Sequence, residues 1–278
     1  MADIKLSFNS SPDAAPTAAF IALGVNMFRA SQLTRGPWHP QQQHAGPPIA
    51  LVSHALESAA QPHGLLHMAR LTANLLRPVP IADIEVLVQE DYVGRNAGHF
   101  SAVARFEGKE LIRATALFQR EGEVDLPQGL PGHPLPLAPK TPADSPEQRF
   151  PFALNQLGYP DLVESRSAAG RMFQGPSAVW FRLRHPLVQG QAPSPYQRVA
   201  VAADSGNGIS AILDLSTHVF VNSDLSINLL RRPVGEWICL DARTHLSSHG
   251  GGLAESALYD EQGLVGRATQ SLAVRKRE

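Results

Sequence analysis

Asp204 is a carboxylate set just ahead of an apolar segment, 208–215, that reads as a helix. Two roles fit that place. An Asp there can cap the helix, its oxygen accepting an otherwise unpaired backbone N–H. A carboxylate at the positive end of a helix also stays ionised, and can take a proton from water as a general base. A second polar residue intrudes on the last strand. Along 267–275, Arg267, Thr269, Ser271, Ala273 and Arg275 share one face, whereas Gln270 falls with Ala268, Leu272 and Val274. A buried amide left unpaired costs about 1–3 kcal/mol, so Gln270 needs a partner, either in a reaction centre or on a loop carbonyl. Asn222 lies near the start of the strand 220–230. Alternation sets it opposite Val221, Leu225, Ile227 and Leu229, so it faces solvent unless a bulge re-aims it.

These residues stand out because the chain repeats itself. LTANLLRP at 71–78 returns as LSINLLRRP at 225–233, and RATA at 113–116 returns as RATQ at 267–270, both 154 residues later. A common offset between separated segments marks an internal duplication. Aligning the helix starts pairs Ile49 with Ile209 and therefore His44 with Asp204. The strand offset pairs Met68 with Asn222 and Ala116 with Gln270. The first copy has no equivalent polar set, which predicts a single active site.

The elements that position these residues recur in the same order. In the first copy, a strand at 20–29 precedes an irregular stretch and a helix at 49–60, apolar around too much of its circumference to lie on a surface. Strands at 71–76, 84–92, 99–106 and 111–119 follow as an antiparallel meander. The second copy predicts strands at 172–183, 220–230, 237–246, 253–259 and 264–275, with its helix at 208–215. Prolines crowd 126–151, removing backbone donors and forbidding regular structure, and this separates the copies. The expected organisation is an N-terminal repeat at 1–120, a Pro-rich linker at 121–165 and a C-terminal repeat at 166–278. Each repeat is α+β.

Composition narrows the partners. With 278 residues, 43% hydrophobic and 18% charged, the chain can bury one large core or two ordinary ones. A formal charge of -1 gives no basic footprint for nucleic acid. No apolar stretch approaches the roughly 20 residues that span a bilayer, and MADIKLSFNS lacks a signal peptide's basic-then-apolar run. A cytoplasmic protein with no membrane partner is expected. Cys239 has no cysteine partner, His63 and His67 lack the neighbours of a metal site, and neither G-x-S-x-G nor a P-loop occurs. The expectation is therefore no metal and no cofactor.

A nearly all-apolar helix wrapped by an antiparallel sheet, twice in tandem, resembles the double hotdog of acyl-CoA thioesterases. The second-copy words AADSGNG (202–208), NSDL (222–225), LDART (240–244), AES (254–256) and GRATQSL (266–272) look like those of the thioesterase II-like family. The resemblance covers roughly 20–119 and 172–275. It implies an acyl-CoA substrate hydrolysed to free acid and CoA, with Asp204 as the catalytic aspartate and Gln270 and Asn222 helping to hold the attacking water. His44, Gly46 and Gly206 are the expected substrate-binding and oxyanion positions, glycine being suited to close approach. The resemblance also admits association into a homo-oligomer. Arg231–Arg232 and 275–277 can meet CoA phosphates, or simply be solvated strand ends. A hydratase would need a histidine five residues after its aspartate, where this chain has Ile209. The other readings are a hotdog protein that binds acyl-CoA without turnover and a structural assembly module that does neither.

Overall fold

The computed structural model describes residues 15–130, 134–150 and 156–277. The first half comprises β1 (Phe20–Ala22), β2 (Met27–Ala30), α1 (Gly46–Ala60), β3 (His67–Leu75), β4 (Asp83–Val93), β5 (Ala97–Phe106) and β6 (Lys109–Gln119). The second comprises α2 (Tyr159–Leu162), β7 (Val163–Ala169), β8 (Ser177–Leu183), α3 (Pro195–Ala203), α4 (Gly206–Ile209), β9 (His218–Asn222), β10 (Asp224–Leu229), β11 (Ile238–Leu246), β12 (Gly251–Asp260) and β13 (Gly263–Lys276). The strands form one antiparallel sheet in the order β1-β2-β4-β5-β6-β3-β10-β13-β12-β11-β8-β7, with β9 also on β13.

The duplication sits at the centre of this sheet. β3 and β10 pair with Thr72 opposite Ser226, their hydroxyl oxygens 3.3 Å apart. The repeated words therefore pair with each other, and the two halves are related by a pseudo-twofold axis through that pair. Each half curls its strands around one helix, the α+β arrangement expected.

α1 begins three residues before the expected 49, because Pro47 and Pro48 fit a first turn whose amides have no intrahelical partner. Its Ile49, Ala50, Leu51, Val52, Leu56 and Ala60 are buried. The expected strand at 20–29 is instead the hairpin β1–β2, with the exposed turn residues 23–26 between.

The second helix is placed differently from the expectation. It starts at Pro195, where Ser194 accepts the Gln197 N–H at 3.1 Å, and breaks after Ala203 before the short α4. Residues 211–215 are not helical. Gly206 and Gly208 are poor helix formers, and the Ser210 hydroxyl turns back to Gly206 O at 2.8 Å, ending the run. The caps Ala45 and Ser194, not His44 and Asp204, are thus the equivalent starts.

α1 and α3 pack side by side and antiparallel. The contact is close: a Cβ on Gly46 would lie 2.6 Å from Val201 O. The proline-rich stretch lies on the second half, with Lys140 O accepting the Trp180 indole N–H at 2.8 Å. Among the described residues, no helix is long and apolar enough to cross a membrane.

Candidate active site

Because α1 and α3 run antiparallel, the start of the first meets the end of the second. Asp204 is the residue that closes α3. It does not cap a helix start, and its carboxylate is free to turn toward α1. His44 Nδ1 lies 3.0 Å from Asp204 Oδ2, with 13% and 4% of the two side chains exposed. Asn222 Nδ2 donates to Asp204 Oδ1 at 2.8 Å, and Gln270 Nε2 approaches the same oxygen at 3.4 Å. The sequence-derived triplet thus converges, with His44 as a fourth member.

A one-residue slip brings Asn222 there. β9 pairs with β13 through Asn222 and Leu272, whereas β10 pairs through Ser226 and Thr269, which leaves one extra residue on the β9–β10 side. The break falls at Ser223, whose N–H still reaches Ser271 O at 2.9 Å, while Asp224 Oδ1 takes the Ser271 N–H at 2.6 Å. The bulge turns Phe220 and Asn222 inward and Val221 outward, the reverse of a straight strand's alternation.

Gln270 is 2% exposed. Its Nε2 donates to Asp204 O at 3.1 Å, and its Oε1 accepts the Asn207 N–H at 2.8 Å. The break between α3 and α4 strands a carbonyl and an amide, and one glutamine satisfies both. α1 is unbroken, so Ala116 suffices at the matching place in the first half. Gln270 therefore ties down a backbone carbonyl, as the plainer of the two sequence readings had it, and does so beside the carboxylate. Gly206 gives it room: a Cβ there would meet Gln270 Oε1 at 3.1 Å and Ser256 Oγ at 2.8 Å.

His44 is held from both sides. Its ring stacks on Tyr159 with centroids 3.8 Å apart and planes 5° from parallel. Burial lowers the imidazole's pKa from its ordinary value, and the Asp204 charge only partly opposes this. A neutral ring carries one proton, and two lone pairs cannot face each other at 3.0 Å, so that proton sits on Nδ1 and is donated to Asp204. Gly46 N lies 3.2 Å from the same nitrogen.

Beside this cluster lies a cavity of about 340 Å³. Asp204, Asn222, His44 and Ala45 share its wall with Trp38, Leu75, Val79, Phe173, Leu215 and Phe220. Trp38 and Phe220 meet edge to face at 6.3 Å. The arrangement is a fixed carboxylate and its donors at the wall of a mainly apolar chamber.

Residues 34–119 match the family profile of the acyl-CoA thioesterase N-terminal domain, and residues 137–274 that of the acyl-CoA thioesterase C-terminal domain. The chain belongs to the acyl-CoA thioesterase family. A hot dog fold protein of unknown function from Alicyclobacillus acidocaldarius is similar to this acyl-CoA thioesterase family member at a TM-score of 0.69 and 17% identity, over 94% of this chain and 97% of that one. The acyl-CoA thioesterase II TesB2 of Mycobacterium marinum gives 0.63 and 18%, over 93% and 96%. The tesB protein of Mycobacterium avium subs. paratuberculosis gives the same four figures. At these identities the solved structures speak for the fold, a double hotdog. The thioesterase II-like family read from the sequence is the one found. A comparison with curated protein sequences finds no match.

Sequence reasoning missed two supports of this acyl-CoA thioesterase family site. Tyr159 lies in the stretch read as linker. Its hydroxyl donates to Val201 O at 2.9 Å and accepts from Ser205 Oγ at 2.8 Å, fixing α2 to the end of α3. The meeting of His44 with Asp204 was hidden by pairing them as equivalents. Ser194-Pro195, a cap followed by proline at the first helical position, is the signal that would have placed α3 correctly.

Proposed function

We propose that the chain hydrolyses an acyl-CoA thioester with a water activated at Asp204. The observation that carries this reading is the Asp204 carboxylate, fixed by side-chain donors from His44, Asn222 and Gln270 and set in the wall of an apolar cavity. The acyl group occupies that cavity. Asp204 takes a proton from water, and the resulting hydroxide adds to the thioester carbonyl carbon. The negative oxygen that forms is met by the amides of Ala45 and Gly46. Pro47 and Pro48 carry no N–H, so these two are the amides at the start of α1, and Ala45 lines the chamber. The C–S bond then breaks, sulfur leaves with the electron pair, and the proton held by Asp204 returns to it.

In this scheme His44 keeps the carboxylate oriented. Gln270 is a positioning residue, since both ends of its amide are spent on the chain break. Asn222 lines the chamber and is placed to hold both the carboxylate and the water.

The test is release of free thiol from short, long, branched and aryl acyl-CoAs. Turnover of at least one class is expected, with loss of about 10²–10⁴-fold in kcat for Asp204→Asn, the range of general acid–base contributions. Binding of acyl-CoA with no thiol released from any member identifies a binding protein instead. Undiminished turnover by Asp204→Asn overturns the mechanism.

A further inference from the structure

An antiparallel helix pair has two places where a start meets an end, and His44 against Asp204 is one of them. At the other, Ser194 caps α3, and the side chains of Ser194 and Gln197 stand close enough to Glu57 on α1 to favour its carboxylate. Glu57 Oε1 also accepts the Ser53 hydroxyl at 3.0 Å, and Gln197 Nε2 lies 3.2 Å from His54 Nδ1. A second cavity of about 290 Å³ opens here, with His54, Glu57, Gln61, Gln191, Gln197 and Arg232 in its wall. This polar cluster draws on both halves and does not use the positions matched to Asn222 and Gln270, which are Met68 and Ala116.

This cavity is the pseudo-symmetric counterpart of the first. Superposing the caps Ala45 and Ser194 sets Gln42 on Gln191. The strand repeat sets Phe220 on Leu66 and Pro78 on Arg232. In each pair one residue lines the first cavity and the other lines the second. The fold has therefore built the same chamber twice.

Its chemistry has diverged in two ways. Met68 and Ala116 stand where the hydrolytic site has Asn222 and Gln270, and Pro195 stands where Gly46 offers an N–H. No amide at that position can stabilise a developing oxyanion. The wall is also polar where the first is apolar, which removes the room suited to an acyl chain. A chamber altered in this way binds without hydrolysing.

Its electrostatics favour an anion. Arg232 is the cation on the wall; Arg198 lies outside the lining, where burial lowers its pKa, Glu236 and Glu57 oppose that shift and Arg232 adds to it. Arg198 Nη1 donates to Pro193 O at 2.7 Å, while its Nε finds no partner among the described residues. Burial pushes the Glu57 carboxyl up to about 7, so near neutrality this acid, the one carboxyl among the described residues of the wall, offsets only part of the Arg232 charge.

We infer that the second cavity is a non-hydrolysing site for coenzyme A itself, its pantetheine amides against Gln61, Gln191 and Gln197 and its phosphates against Arg232. The ligand's identity rests on the thioesterase reading: there the matched chamber takes an acyl-CoA, and this one, polar and carrying Arg232, keeps only what suits the CoA part.

Calorimetric titration of the intact chain with free CoA tests this. Two molecules per chain are expected, falling to one in Arg232→Glu and in Gln191→Glu, both substitutions at exposed positions. Parallel titrations use pantetheine and inorganic phosphate. A second site that phosphate fills and pantetheine does not is a bare anion site, and overturns the assignment. One CoA per chain in the unaltered protein, or two in both variants, overturns it while leaving the thioesterase reading intact. Two sites in a protein that releases thiol from no acyl-CoA would uphold this inference and sink that reading; no CoA bound at all overturns this inference, while thiol release alone decides the thioesterase reading.

Discussion

His44 Nδ1 and Asp204 Oδ2 stand 3.0 Å apart at the one place where the first turn of α1 meets the last residue before the break in the second helix. Neither residue reaches the other within its own half. The contact exists because two antiparallel helices from two copies lie side by side, and it makes the site a property of the pair.

His44→Gln retains an amide donor for Asp204 but does not titrate. Burial keeps the folded imidazole neutral below its ordinary pKa, whereas in the unfolded chain it takes up a proton near pH 6.5. The unfolded state therefore binds more protons as pH falls through the window below about 6.5, and stability declines there. His54 and His67 are lowered by burial too and contribute to the same decline. Denaturant unfolding at pH 5 and 7.5 should show a shallower loss in His44→Gln than in the parent. An equal loss in both proteins would mean that His44 is charged in the folded state.

Gln270→Ala reproduces the first-half residue at its matched place, but in a half whose helix is broken. It leaves Asn207 N–H and Asp204 O buried without their partner, at a cost of about 1–3 kcal/mol by the usual penalty for such groups. The midpoint of urea unfolding should fall accordingly. Because Gln270 acts through Asp204, kcat should drop while KM for acyl-CoA stays nearly constant. A rise in KM with unchanged kcat would place Gln270 against the substrate instead.

Glu57→Gln should stabilise the protein on the alkaline side only. The folded carboxyl is raised to about 7 against 4.5 unfolded, so between those values the folded state holds the extra proton, and stability falls as pH rises. His54, Arg198, Arg232 and the Ser53, Ser194 and Gln197 donors face the group and are common to both proteins. A higher Tm for the variant at pH 8, with parity at pH 5, is expected. A lower Tm at pH 8 would show a carboxylate that is stably ionised.

Gly46→Ala probes the helix contact. The added Cβ would lie 2.6 Å from Val201 O, a backbone atom that cannot swing away, so α1 and α3 must separate. Overpacking of this kind costs about 1–3 kcal/mol, and thermal unfolding should record it. The separation would also lengthen the His44–Asp204 contact and lower kcat. Full activity in a protein of unchanged Tm would show that the helices have slack at this point.

The duplication, the strand order within each copy, the buried first helix and the inward face of Gln270 were all present in the sequence. They depend on local periodicity and on words repeated at a fixed spacing, which a linear chain displays directly. Asn222 was only half visible, because alternation predicts its outward face and the slip at Ser223 that reverses it depends on two registers against β13.

The tertiary structure decided what those residues meet. It moved the second helix start to Pro195, turned Asp204 from a helix start into a helix end, brought Tyr159 from the proline-rich stretch onto His44, and set Glu57 beside Ser194. Each of these depends on the antiparallel packing of α1 on α3. That packing follows from burying apolar faces that lie far apart in the sequence, and burial is non-directional, so no local pattern records which residues it will bring together.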